Sequence, residues 1–241
     1  SFTSSTTNLI DYYIEDLNVD KKIWIKTDIP ANTSRRLKIT KTDGYTPNGD
    51  EVFEFFDDFD DSSIDPNKWG YINGFPLPAE NDQNVYLTGT TAYIVSKNKL
   101  NSYNKIFKMR MYPVTNTSGL DCAMQVMGSC STCGYTYNKG IAFGTNLNAT
   151  FYEIFASNYC GATAIYSSTD TAQSGRYLNF DAIIADENTY KVRQIVTDDN
   201  GTTINDSGFS TNATQRCFNE TGYFNLQTQN GGGSMYVDYV F

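Results

Sequence analysis

Carboxylates carry whatever acid–base chemistry this sequence can do, because its 241 residues include 27 Asp and Glu and no histidine. Without an imidazole there is no Ser-His-Asp or Cys-His arrangement and no His-ligated metal. Paired carboxylates remain as the common hydrolytic device. Alternate residues of a strand share a face, so acids two positions apart would meet one substrate. The segment Phe151-Tyr-Glu-Ile-Phe-Ala156 alternates as a strand does. It offers Glu153, but Phe155 and Ser157 hold the next two positions on that face. Asp181, Asp186 and Glu187 lack strand spacing and read as loop. A single Glu on a sheet face is expected to hydrogen-bond a ligand rather than to cleave one.

The five cysteines, Cys122, Cys130, Cys133, Cys160 and Cys217, fit disulfides in an exported chain. The odd one is left free or bonded to another chain. The Cys-x-x-Cys step at Cys130 and Cys133 is also a zinc spacing. No second such pair accompanies it, and no βαβ pattern surrounds it for a redox role. Asn-x-Ser/Thr triplets begin at Asn32, Asn116, Asn148, Asn200, Asn205, Asn212 and Asn219, none with a middle proline. A chain rich in Asn, Ser and Thr forms some of these by chance. The rest permit heavy N-glycosylation, which requires export and exposed loops. Cysteines and sequons together place the protein outside the cell or at its surface.

Two further groups could hold a ligand. Trp69, Tyr71, Phe75 and Tyr86 could form an aromatic platform for a sugar ring, although Trp69 and Tyr86 suit the core equally. Asp57, Asp58, Asp60 and Asp61 crowd hard oxygens of the kind calcium takes. The net charge of -9 argues against nucleic acid, which needs a basic footprint. It argues equally against an anionic membrane face. No stretch approaches the roughly 18 apolar residues that span a bilayer. The first residue is Ser1 rather than Met, as expected of a processed product or an excised segment.

Strands must position these groups. The chain has 18 Tyr, 15 Phe and 18 Gly, and aromatic and β-branched residues favour pleated sheet. Between Lys105 and Met111 the alternation predicts Phe107, Met109 and Met111 in the core, with Lys108 and Arg110 in solvent. Tyr190–Val196 reads as a strand running into Asp198-Asp199-Asn200-Gly201, and Asn-Gly is a strong hairpin signal. Thr202–Ile204 would return antiparallel, and Met235–Phe241 forms the last strand. Before Asp50 the pattern differs. Ile23-Trp24-Ile25 and Leu37-Lys38-Ile39 are short strands separated at Pro30, and Thr46-Pro47-Asn48-Gly49 is a turn. Two short strands cannot make a core of their own. Residues 1–49 are therefore expected to be a partial domain or an appendage, and residues 50–241 a sandwich.

The stretch from Glu51 to Trp69, with Phe-Phe-Asp-Asp-Phe and then Asp-Pro-Asn-Lys-Trp, resembles the opening of concanavalin A-like and laminin-G-like domains. Tyr190-Lys-Val-Arg and Met235–Phe241 resemble their late strands. Leu9–Glu15, Ile23–Lys26 and Ile29–Ala31 resemble the latter half of a small domain of unknown function. That domain often precedes laminin-G-like domains in archaeal and bacterial surface proteins. The resemblance implies an all-β, concanavalin A-like jelly-roll sandwich with a short N-terminal β extension. It also implies structural calcium on Asp238, with Asp58 beside it.

The same sandwich hosts glucanases that carry Glu-x-Asp-x-(x)-Glu on one strand, and the strand containing Glu153 lacks that triplet. The expectation is thus of a non-catalytic surface domain that binds carbohydrate or a surface ligand, with Trp69, Tyr71, Phe75, Tyr86 and Glu153 as contacts. The alternative is a structural subunit of a filament or surface layer, assembled with neighbouring copies by strand exchange. Glycoside hydrolysis stands third.

Overall fold

The computed structural model describes residues 2–3, 9–17, 20–39, 44–74, 77–81, 83–89, 91–101, 103–114, 120–128, 141–147, 152–158, 163–168, 175–185, 191–209, 221–229 and 234–241. Among these residues are twenty strands and one short helix. The N-terminal part holds β1 (Phe2–Thr3), β2 (Leu9–Ile10), β3 (Tyr12–Leu17), β4 (Asp20–Ile25), β5 (Lys38–Ile39) and the four-residue α1 (Gly49–Val52). Then come β6 (Trp69–Asn73), β7 (Ala79–Glu80), β8 (Val85–Thr88), β9 (Thr91–Ser96), β10 (Leu100–Asn101), β11 (Lys105–Val114) and β12 (Leu120–Gly128). The rest are β13 (Ile141–Leu147), β14 (Tyr152–Asn158), β15 (Thr163–Ser168), β16 (Leu178–Ala185), β17 (Lys191–Asp198), β18 (Thr203–Asp206), β19 (Thr221–Gln229) and β20 (Ser234–Val240).

Two antiparallel sheets face each other. The front sheet runs β15-β14-β13-β12-β19-β9-β6, with β10 beside β19, and the back sheet runs β18-β17-β16-β11-β20-β8-β7. This is the all-β sandwich that the strand pattern predicts. The core between the sheets comes from alternate positions: Phe107, Met109 and Met111 of β11, Leu178, Phe180 and Ala182 of β16, and Met124, Phe143, Phe224 and Leu226 from the front sheet. The predicted hairpin forms as β17–β18. Asp198 accepts hydrogen bonds from the backbone N–H of Asn200 and of Thr202, both at 2.9 Å, and Gly201 takes the left-handed φ of 74° that such a turn needs. Among the described residues no helix is long and apolar enough to cross a membrane.

The Asp-Asp-Phe segment ties the start of the sandwich to its end. Asp57 pairs its backbone with Val240. Its carboxylate accepts from the indole N–H of Trp69 at 2.6 Å and from the N–H of Phe59 at 3.1 Å. Phe59 and Trp69 are thereby fixed inside the core, at 0% and 3% exposure.

The hairpin β3–β4 lies on the outer face of the back sheet. Tyr13 and Trp24 pack with Phe53, Phe56, Tyr239 and Phe241. Phe53 stacks on Phe241 with centroids 4.0 Å apart, and Trp24 meets Phe241 edge-on at 5.4 Å. Two strands without a core of their own thus bury their apolar side on this chain's own sandwich. This covering overturns one expectation. Lys108, at a position that alternation assigns to solvent, is 2% exposed. Asp181, expected in a loop, lies in β16 directly opposite Lys108.

Asn205, expected as a glycan acceptor, is also corrected. It is 5% exposed within β18, and a buried amide cannot take a glycan. Asn32 and Asn200 lie in exposed turns. Asn116, Asn148, Asn212 and Asn219 lie outside the described residues, as do Cys130, Cys133, Cys160 and Cys217. Of Cys122 only the backbone, in β12, is described.

Candidate functional site

The front sheet turns its core side inward through Ala92 and Ile94 of β9, Phe224 and Leu226 of β19, Met124 and Val126 of β12, and Ile141 and Phe143 of β13. The alternate positions share the outer face, and register aligns them into cross-strand rows. One row runs Tyr71, Val95, Asn225, Gln125, Ala142, Ser157. The next runs Asn73, Tyr93, Gln227, Ala123, Gly144, Phe155. A third runs Thr91, Gln229, Asp121, Asn146, Glu153.

This composition suits a sugar chain. Small residues (Ala123, Ala142, Gly144) occupy the middle strands at these positions. Tyr71 and Tyr93 stack at one flank, with centroids 5.9 Å apart and planes 28° apart. Asn225 and Gln227 beside them are buried, at 0% and 2% exposure. The third row puts the positions of Asp121 and Glu153 on one face. Asp121 and Glu153 are separated by the single strand that carries Asn146, so their Cα atoms stand two strand spacings apart, about 10 Å. Carboxyl pairs about 6.5–9.5 Å apart leave room for a water between acid and base, whereas pairs about 5 Å apart act by covalent attack. A search for acids two apart along one strand misses this pair, because it is made across strands.

The outer face of the back sheet holds a different set of charges. Lys108 Nζ lies 2.6 Å from Asp181 Oδ1 and 3.1 Å from Glu15 Oε1. Glu15, on β3, is 0% exposed. It accepts from the Tyr239 hydroxyl at 2.7 Å and the Trp24 indole N–H at 2.9 Å. Burial pushes the Glu15 carboxyl up, but Lys108 and these two donors outweigh it and hold it below its ordinary value. Nearby, Arg110 bonds both Asp199 and Asp238 and lies 4.0 Å over the Tyr177 ring.

Asp238, expected as a calcium ligand, thus spends its carboxylate on Arg110. Asp58, its expected neighbour in that site, has its carboxyl pushed up to about 6, by burial first and then by Asp60. Among the described residues no group of three or more acids, cysteines or histidines converges as a metal would require.

The acidic loop has a measurable consequence instead. Glu80 accepts from the backbone N–H of Ser62 at 2.8 Å. Burial, then Asp61, pushes its carboxyl from 4.5 up to about 7. The folded chain therefore keeps a proton that the unfolded chain has released, and stability falls as pH rises from about 4.5 to about 7. Glu80→Gln keeps the acceptor and removes the charge. It is expected to raise the melting temperature by a few degrees at pH 8 and to leave it unchanged at pH 4. Thermal melts at the two pH values check this, and equal shifts at both would contradict it.

The expected aromatic platform does not exist as a unit. Trp69 is in the core. Tyr86 lies on the back sheet, stacked on Tyr236 with centroids 4.6 Å apart. Phe75 lies outside the described residues. Tyr71 alone of the four joins the front-sheet face, and its stacking partner Tyr93 was not among the candidates. Glu153 falls on that face at its row position.

Comparison with known proteins bears on these geometries. The domain of unknown function DUF2341 matches residues 1–72. No curated protein matches. Among solved structures, a laminarinase from Flavobacterium sp. UMI-01 is similar at 11% identity and a TM-score of 0.54, over 77% of this chain and 97% of that one. A Bacillus licheniformis β-glucanase is similar at 13% identity and 0.51, over 77% and 95%. So is a structure from work on endo-acting O-glycanases of the human gut microbiota that initiate mucin breakdown, at 11% and 0.55, over 78% and 97%.

Likeness at this identity is likeness of fold, and it establishes the concanavalin A-like jelly roll. It also corrects the expectation of a non-catalytic surface module, and with it the filament alternative. These neighbours are named as glycan-cleaving enzymes and align along nearly their whole length, which runs against that expectation.

Proposed function

We propose that this chain is a glycoside hydrolase that cleaves an extracellular polysaccharide across the outer face of its front sheet. The observation that carries the reading is the row Asp121–Asn146–Glu153. It puts an Asp and a Glu position on one face of a sheet that also carries Tyr71 and Tyr93. In such a reaction one carboxyl, protonated, donates to the departing glycosidic oxygen. The other, ionised, assists the attack at the anomeric carbon. Tyr71, backed by Tyr93, offers a stacking surface, and Asn73 offers hydrogen bonds to sugar hydroxyls. The sequons at Asn32 and Asn200 accord with a secreted enzyme.

The test is reducing-end release from β-1,3-glucan, mixed-linkage β-1,3-1,4-glucan and mucin O-glycans, with NMR of the first anomer formed. Release of new reducing ends is the expected result. No cleavage of any of the three by correctly folded protein would count against the proposal.

A further inference from the structure

The group formed by Lys108, Asp181 and Glu15 has no part in the proposed glycan site, which lies on the other sheet. Its geometry is that of a reaction centre. A primary amine stands 2.6 Å from a carboxylate oxygen, and the two residues are direct cross-strand partners on β11 and β16. A second carboxylate, fully buried, touches the same amine at 3.1 Å. Tyr239 and Trp24 fix that second carboxylate. The amine is 2% exposed, with the Trp24 ring 5.6 Å and the Phe241 ring 5.9 Å from it.

We propose that Lys108 and Asp181 join as an intramolecular isopeptide bond, with Glu15 as the proton carrier. The Lys108 ammonium gives a proton to Glu15, and the freed amine lone pair attacks Asp181 Cγ. Glu15 passes that proton to one Asp181 oxygen. It then takes a second proton from the nitrogen and delivers it to the same oxygen, which departs as water. One C–N bond forms and one C–O bond breaks. An ammonium and a carboxylate become an amide and a water, and Glu15 ends as it began. Nothing is oxidised or reduced.

Three features favour the condensation. Bulk water, the reverse reactant, is kept from the amine by the hairpin and its aromatic rings. Asp181 is 28% exposed on its other side, which gives the released water a way out. The reactants sit opposite each other in an established ladder, so closure requires no backbone movement, and the fixed geometry replaces an encounter. Burial lowers the basicity of Lys108, but the two carboxylates raise it further, so the amine is mostly charged. The uncharged pair is a minor state, which slows the step without changing the product.

Glu15 reaches the pair from β3. The bond would therefore form only once the N-terminal hairpin has docked, and it would lock β11 to β16 beneath that hairpin.

The experiment is mass spectrometry of the full chain under denaturing conditions, after reduction of cysteines and enzymatic removal of any glycan, followed by fragmentation of a proteolytic digest. The expected mass is lower than the sequence mass by one water, with a branched peptide linking the segments of Lys108 and Asp181. Asp181→Ala, at a half-buried position, is expected to restore the full sequence mass. Asp181→Asn should still close, with loss of one ammonia instead of one water. Glu15→Gln should leave most of the chain unlinked. If that variant does not fold, the two Asp181 variants decide. Wild-type protein at full mass with no branched peptide, after days at neutral pH, would overturn the proposal. A one-water deficit that persists in Asp181→Ala would overturn it too.

Discussion

Glu153→Gln is expected to reduce kcat on a cleaved glucan by about 10²–10⁴-fold, and Asp121→Asn by a similar factor. Each amide keeps the size of the acid and removes its proton chemistry, so KM should change little. The double variant is expected to be hardly worse than either single one, since acid and base serve one displacement and effects of such residues are not additive. A binding face without catalysis would behave differently. There the two changes would alter affinity, and any trace hydrolysis in the preparation would be indifferent to them. Tyr71→Ala supplies the contrast: a stacking residue should raise KM and leave kcat nearly intact. The measurement is a steady-state series on the best substrate, and unchanged kcat in both acid variants would remove Asp121 and Glu153 from the mechanism.

A second large effect is expected at Glu15. Removing one partner of a buried ion pair costs about 3–5 kcal/mol, because the other charge stays behind without compensation. Glu15→Ala leaves Lys108, at 2% exposure, with only the partly exposed Asp181. It also strips the Tyr239 hydroxyl and the Trp24 indole N–H of their acceptor. Both losses are those of the unlinked chain, in which Lys108 is still an ammonium.

In that unlinked chain the Glu15 carboxyl titrates below its ordinary value when folded. Its contribution is therefore present above the unfolded value, near pH 4.5, and is lost as pH falls through the lower folded value. Urea unfolding at pH 7 should show the full loss. At a pH below the folded value, wild type and variant should approach each other. A loss under about 1 kcal/mol at pH 7 would mean that the hairpin does not hold Glu15 against Lys108.

Lys108 shows where reading by alternation stops. Its strand alternates cleanly, with Phe107, Met109 and Met111 in the core, and the pattern rightly puts Lys108 on the other face. What covers that face comes from residues about ninety positions earlier in the chain. Alternation distinguishes two faces of a strand, but it cannot say whether the second face meets water or another element. Asp181 was misread for a related reason. Its strand, β16, contains Leu178, Phe180, Ala182 and Ile184 on the buried face, and the acid at its centre pairs with the lysine across the ladder.

Sequence by itself determined the class of the fold. Strand alternation, the Asn-Gly turn after Asp198, the Asp-Asp-Phe opening and the scarcity of helix-forming stretches are local signals, and each acts within a few residues of where it is written. It also limited the chemistry to carboxylates, since side chains that are absent cannot be assembled by any fold. Tertiary structure alone decided which acidic positions share a face or a contact. Asp121 and Glu153 share a row only through the pairing of β12, β13 and β14. Glu15, Lys108 and Asp181 meet only because a hairpin lies across the back sheet. Cross-strand register and the docking of one element on another are set by the summed burial of many distant residues, and no short stretch of sequence carries that sum.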